Sequence, residues 1–462
     1  MSQWKRREFL LTAAIGAGGL LSLTKRLNAE GSPAREIRAV DARSLRVTEI
    51  ETHEILLPYH DFNACTLFRY HGLGIQLRTI YLVKTNQGLE GYGEAWGRGW
   101  PKEEVAKYVG TCPFDWLGDT STLPINMAMY DLMGKFLGLP VWYLIGPKLR
   151  DRVPVAAWTV SQTPKQMADE VRHAARQGYL WLKYHIDEIQ NVVDQTRAMQ
   201  DAAPPGFKVH YDFNANSTFE VIAPVIKKLE KFPVAGRIED PIVASDPDGW
   251  RKIREMSSLP IAVHHGPVDF MVKGIVDGLM AGHATIGGAA KIAAVAEITN
   301  TPIMLQQCGG TINQAFLAHE AAVFKMATMD HVNLARLWKD DVTNETMPII
   351  DGHVRVPKGS GLGVTLNRDK LKKYESAKRP SHEPFLVRIR YQGGPTIYAR
   401  HNPEKPGAAD ELRFLKRLLG ERIPGPVPGY DNAVVTDFWD DQDSAEFQRI
   451  WKETETGHVT VD

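Results

Sequence analysis

The chain has 462 residues, 43% of them apolar, and its 55 Lys plus Arg are balanced by 55 Asp plus Glu. That length buries a core large enough for two or more domains, and the balanced charge excludes the one-signed field that a nucleic-acid or anionic-membrane binder needs. Three scattered cysteines, Cys65, Cys112 and Cys308, make neither a disulfide framework nor a metal knuckle.

Lys5-Arg6-Arg7 leads into an apolar, glycine-rich run over 11–23 that is short for a membrane span. Residues 1–29 read as a twin-arginine-like export signal, which makes the protein an exported, periplasmic one. Leu27-Asn28-Ala29 is a poor cleavage site, so an uncleaved signal would leave a membrane anchor. Residues 30–43 are charged and aperiodic, as in a linker.

Over 44–150 the pattern is α+β. Apolar and polar residues alternate over 45–57, 74–85 and 90–96, with a turn at Asn86-Gln87-Gly88, and these spans are expected as antiparallel strands. The intervening loop 58–73 carries Tyr59 and His60 among other polar and aromatic residues, a composition suited to a lid that contacts a ligand. Apolar spacings of three and four predict a helix over 124–139.

From 151 to 374 short apolar runs alternate with amphipathic stretches. Polar residues stand at the ends of those runs with a steady spacing: His185, then Asp212 after 27 residues, Glu239 after 27 more and His265 after another 26. One strand, one helix and two loops consume about that length, so the four residues meet at one rim of a parallel β/α barrel. The rhythm fades after 337. A hairpin is expected over 348–357 and a glycine-rich loop over 359–363. The final segment, 375–462, has a strand-like stretch over 385–398, a helix over 410–419 and an acidic stretch over 437–443, with no chemistry assigned to it.

The string Asn126-Met127-Ala128-Met129-Tyr130-Asp131-Leu132-Met133-Gly134-Lys135, with Gly138-Leu139-Pro140-Val141 and Arg152-Val153-Pro154-Val155, resembles the enolase superfamily in its mandelate racemase and muconate lactonizing branch. Gly91-Tyr92-Gly93-Glu94, Asp212-x-Asn214, Glu239-Asp240-Pro241, Gly287-Gly288 and Gly361-Leu362-Gly363 extend the resemblance over about 45–374. It implies a modified TIM barrel, (β/α)7β, under an N-terminal α+β capping domain, here with an extra C-terminal extension. It also implies a divalent metal, magnesium by resemblance, that stabilises the enediolate formed when a base removes the proton α to a carboxylate.

Carried over residue by residue, Asp212 and Glu239 match the first two metal ligands. His265 stands where the family has a third carboxylate, which tilts preference toward Mn2+, Fe2+ or Zn2+. Lys183 matches the first lysine of a Lys-x-Lys pair, and His185 replaces the second as the base. Asn214, His264, Gln306, Tyr59 and His60 are expected at the substrate. Gly282 and Gln306 stand where racemases have an aspartate and a histidine, so one-sided elimination, a dehydration, is expected rather than two-base racemisation. The alternatives are a degenerate barrel that binds a carbohydrate or acid without turnover, and a new transition-metal site built from the histidines. The expected partner is a small carboxylate, in a homo-oligomer as in related barrels.

Overall fold

A computed structural model describes residues 41–71, 76–118, 122–186, 190–215, 217–378, 383–400 and 434–462. The segment read as an export signal, the expected linker up to residue 40 and the helix expected over 410–419 lie outside the described residues.

Branched and aromatic residues alternating with polar ones form β1 (Val47–Leu56), β2 (Leu77–Thr85) and β3 (Glu90–Trp96), an antiparallel sheet in the order β1-β2-β3. The loop between β1 and β2 is not all loop: α1 (Ala64–His71) fills part of it. Its first half is latched, because buried Asn63 donates Nδ2–H to Glu170 Oε1 at 3.1 Å and Glu170 in turn pairs with Arg336 at 2.9 Å. After α2 (Lys102–Ala106) comes α3 (Leu123–Leu137), the helix of the recognised string; its C-cap Gly138 takes φ 69. It lies so close across β3 that a Cβ on Gly93 would be 1.8 Å from the Pro124 carbonyl oxygen.

Buried Asp131 of α3 explains why that string is dense. Its carboxylate accepts Tyr92 N–H of β3 at 3.0 Å and Leu362 N–H of the glycine-rich loop at 2.8 Å, and pairs with Lys135 at 2.7 Å. One acid thereby ties sheet, helix and the closing segment of the chain. After the single turn α4 (Trp142–Ile145), β4 (Arg152–Val160) begins the barrel.

The barrel strands are β4, β5 (Trp181–His185), β6 (Lys208–Asp212), β7 (Ala235–Glu239), β8 (Ile261–Val263), β9 (Gly278–Gly282), β10 (Ile303–Gln306) and β11 (His331–Val332). They pair in parallel in chain order, and β11 returns to β4 through His331↔Val155 and Val332↔Ala156. Seven helices connect them: α5 (Pro164–Arg176), α6 (Val192–Ala202), α7 (Phe219–Leu229), α8 (Pro247–Met256), α9 (Asp269–Val272), α10 (Ile286–Thr299) and α11 (Thr311–Val323). This is the (β/α)7β barrel. Its caps are local: Thr163 and Gln166 make a capping box on α5, and Asn191, Asp246 and Thr285 each accept a first-turn N–H.

β12 (His353–Arg355) then pairs antiparallel with the start of β4, and α12 (Arg368–Glu375) packs near β1. The extension forms a second antiparallel sheet from β13 (Leu386–Tyr391), β14 (Thr396–Arg400), β15 (Val434–Trp439) and β16 (Val459–Val461), in the order β15-β13-β14-β16. One face, with Val387, Ile389, Ile397 and Ala399, joins the core shared with Leu371 and Tyr374; the other, with Leu386, Tyr398 and Trp439, packs on Phe447 and Ile450 of α13 (Ala445–Glu453). The acidic stretch over 437–443 is thus the end of a strand and the turn before a helix capped by Ser444.

Because Gly93 has no room for a methyl, Gly93→Ala is expected to destabilise the fold by about 1–3 kcal/mol. A fall in the urea midpoint at unchanged slope would show it; an unaltered midpoint would mean that β3 and α3 can separate without cost.

Candidate active site

Side chains two apart on a strand share a face, and register stacks them in two layers inside the barrel. Lys183, His210 and Arg237 align across β5, β6 and β7, and His185, Asp212 and Glu239 form the next layer toward the strand ends. Lys183 is fully buried and reaches up from its layer. Its Nζ lies 2.7 Å from Glu239 Oε2 and 3.1 Å from Asp212 Oδ2, and it donates to Gln306 Oε1 on β10. His185 Nε2 stands 3.2 Å from the same Asp212 oxygen, its ring edge-on to Trp158 at 5.0 Å. His210 Nε2 is 2.7 Å from Glu239 Oε2.

The electrostatics follow from this packing. Burial, together with Glu239, pushes the Asp212 carboxyl up, but Lys183 and His185 outweigh both and hold it below the usual carboxylate range. Burial likewise opposes ionisation of Glu239, and Lys183, His210 and His264 reverse the effect. Burial alone would discharge Lys183; the two carboxylates instead hold it above the ordinary lysine value, as an ammonium. His210 is pushed down to about 4 by burial and stays neutral.

At the expected third metal position both histidines stand with Asp240, within 4.8 Å of one another through one ligand atom each. Inward parity on β8 runs from Ala262 to His264, not to His265. His264 Nδ1 lies 3.3 Å from Glu239 Oε1, whereas the His265 side chain is 52% exposed and its Nδ1 binds Asp240 Oδ2 at 2.5 Å. Asp240, at φ 45, also accepts the backbone N–H of His264 at 2.7 Å and of His265 at 3.0 Å, so it orients the turn that presents both rings. Room for His264 comes from β9: a Cβ on Gly282 would sit 2.0 Å from His264 Nε2.

Among the expected substrate contacts, Gln306 is held by Lys183, and Asn214, at φ 53, bonds through its N–H to Asp212 Oδ1 at 2.9 Å. Tyr59 is buried in the apolar core that includes Trp158 and Phe316, and His60 stacks near Phe62 and His173. The structure gives neither of these two a contact with the strand-end acids. Sequence reasoning missed Asp240 and the side of the barrel beyond β9 and β10. There a cavity of about 430 Å³ opens between the end of β3 and the strand ends, lined in part by Trp96, Trp100, His283 and Cys308. The tryptophans after Gly91-Tyr92-Gly93-Glu94, and His283 beside Gly282, were its legible signals.

Residues 166–370 match a family model described as enolase C-terminal domain-like. The fold is that of a muconate lactonizing enzyme from Pseudomonas fluorescens, with a TM-score of 0.60 at 21% identity over 72% of this chain and 99% of that one. The barrel segment of this chain is thus enolase C-terminal domain-like. A D-gluconate dehydratase of Thermoproteus tenax is 27% identical over 295 residues, 57% of this chain and 58% of the relative's length. A D-galactonate dehydratase of Xanthomonas campestris is 26% identical over 54% of this chain and 72% of the relative, and a D-xylonate dehydratase of Haloferax volcanii 26% identical over 53% and 67%. The chain thus spans little more than half the length of the gluconate dehydratase.

Enolase-superfamily proteins generally use a divalent metal, and the donor set here suits one. Asp212, Glu239 and Asp240 are all buried and offer oxygens within 4.8 Å of one another, and Asp240, His264 and His265 form a second such group. Carboxylates and imidazoles gathered in this way are fitting ligands for a divalent cation.

Burial sets a pH dependence. His210 and His319 are pushed down to about 4 and His331 to about 3, so between roughly pH 4 and 6.5 the unfolded chain binds protons that the folded chain refuses. Stability must then fall on acidification through that window, each histidine adding up to about 1.4 kcal/mol per pH unit. His265, raised by its bond to Asp240, acts in the opposite sense but is half exposed and counts for less. Urea titrations at pH 7, 6 and 5 should show a falling midpoint with a shallower fall in His319→Gln; a pH-independent midpoint would contradict neutral buried histidines.

Proposed function

We propose that this protein is a metal-dependent dehydratase that removes the proton α to the carboxylate of a sugar-derived hydroxy acid and expels the β-hydroxyl as water. The observation that carries the reading is the Lys183 ammonium held between buried Asp212 and Glu239, with His185 on the same oxygen of Asp212. Lys183 is a fixed positive charge that faces a substrate carboxylate rather than a base, since its acids hold the proton on it. His185, one layer nearer the mouth, is the proton-transfer group. Asp212, Glu239 and His264 hold the cation, with Asp240 positioning His264. A bound divalent cation supplies the concentrated positive charge that a weak carbon acid needs as its carboxylate becomes doubly negative. The dehydratase names of the gluconate, galactonate and xylonate relatives support this reaction class. The twin-arginine-like segment supports its operation outside the cytoplasm.

A second reading, a barrel that binds an acid without turning it over, is favoured by Lys183 itself, whose ammonium already neutralises both carboxylates. Exchange separates the two. With Mn2+ present in D2O, a gluconate, galactonate and xylonate panel should show α-proton exchange followed by loss of water, reduced at least about 100-fold in His185→Asn. Binding without exchange across the panel would establish the second reading.

The ligand assignment has its own check. His264→Ala should weaken calorimetric Mn2+ binding by about 10–100-fold or more, and more than His265→Ala does. The reverse order would return the third position to His265.

A further inference from the structure

The cavity on the β9–β10 side is not lined by any of the metal-site acids. Its near edge is nevertheless close to them: His283 follows Gly282 directly, and Cys308 is two residues beyond Gln306, the partner of Lys183. Two residues of strand advance about 7 Å. A carboxylate at Lys183 with an extended six-carbon chain pointing this way would therefore end where the cavity begins, and the cavity is additional room. At about 430 Å³ it is far larger than a terminal hydroxymethyl group requires and falls in the range of sites that enclose a whole small molecule.

Its walls differ from those of a channel lined by polar groups alone. Trp96 and Trp100, 47% and 40% exposed, stand with Leu123 and Pro124 around it, beside the polar His283, Thr285, Asn313 and Glu94. The left-handed backbone of His283, φ 50, directs its ring to this side, 6.4 Å from the Trp96 ring and with Nε2 3.8 Å from Cys308 Sγ. Broad aromatic faces with hydrogen-bonding groups beside them match a pyranose, whose axial C–H bonds present a weakly positive face to the negative face of an indole. A linear polyol has no such flat face.

We propose that the cavity receives a pyranose ring at the far end of the substrate, so that the acid taken by this site is an aldonic acid bearing a glycosidically linked sugar rather than a free linear one. The inference rests on the dehydratase reading for the acid end and deepens it. The test is calorimetry on the full-length, Mn2+-loaded protein with gluconate, lactobionate (a galactopyranose carried on gluconate) and methyl galactoside. Lactobionate should bind at least about tenfold more tightly than gluconate, and methyl galactoside more weakly than lactobionate. Trp100→Ala should abolish the preference while leaving gluconate affinity within about twofold. Trp100 is suited to this, because its fixed contact to Tyr81 is through the backbone N–H, at 2.7 Å, and survives the substitution. Trp96→Phe, which keeps an aromatic face, should retain the preference and guards against a folding defect. Equal affinities, a preference indifferent to Trp100, or no binding of lactobionate overturns the inference. Deuterium exchange on gluconate judges the dehydratase reading separately: exchange with no ring preference removes only the pyranose pocket, and ring preference without exchange on either acid removes only the dehydration.

Discussion

Two carboxylates buried side by side in the mouth of a barrel cannot both stay ionised unless positive charge is brought to them. Lys183 brings it, from one layer below, and much else is arranged around that single ammonium. Its position requires β5 and β6 to be in register, so that the butyl stem passes beside His210. It requires β10 to present Gln306 from across the barrel. Fixed in this way, the lysine is withdrawn from proton transfer, and the work of moving protons passes to the histidine above it. The same two acids stand close enough to Asp240 for the three to share a further cation.

The barrel can present this cluster only if the cap closes over it, and the cap is held by buried charge as well as by apolar contact. Arg78 of β2 pairs with Glu94 of β3 and, at 2.9 Å, with Asp341, while its guanidinium lies 4.3 Å from the Trp338 ring. Glu94 accepts Gly310 N–H at 2.8 Å, and Asp341 accepts Thr311 N–H at 2.5 Å, so both acids also cap the N-terminal end of α11. Cap strands, the seventh barrel helix and the loop after the eighth strand are thereby joined through one arginine. Asp131 does the same at the other edge. Such pairs add little net stability after desolvation, but an unpaired member would be costly, so they specify one docking of cap on barrel.

Much of this was legible in the sequence. The spacing of His185, Asp212 and Glu239 located three successive strand ends because one period of strand and helix is nearly constant in length. The alternation over 45–96 located the cap sheet. What escaped had physical reasons. A two-residue strand such as β11 carries no period. The parity of a side chain after a three-residue strand such as β8 cannot be counted when its end is unknown, so the sequence alone does not show that His264 is the histidine that reaches Glu239. Tyr59 and His60 were read from a polar loop, whereas Asn63 and Glu170, 107 residues apart, fasten that loop in a way no local pattern reveals. In the extension the strand-like stretch over 385–398 holds β13 and most of β14, but the pairing of β13 with β15 was not legible, because it joins strands far apart in the chain through packing rather than any turn signal.

The bare backbone of Gly282 links two neighbouring strands through occupied volume. His264 fills the space that a side chain at 282 would claim, so the two positions constitute one unit of variation. A side chain gained at 282 while His264 is kept would collide with its ring, and loss of His264 alone would leave a void beside buried Glu239. An acid at 282 therefore requires a change at 264 as well. The imidazole closes this part of β9 to a side chain by volume, whatever acid the site acts upon.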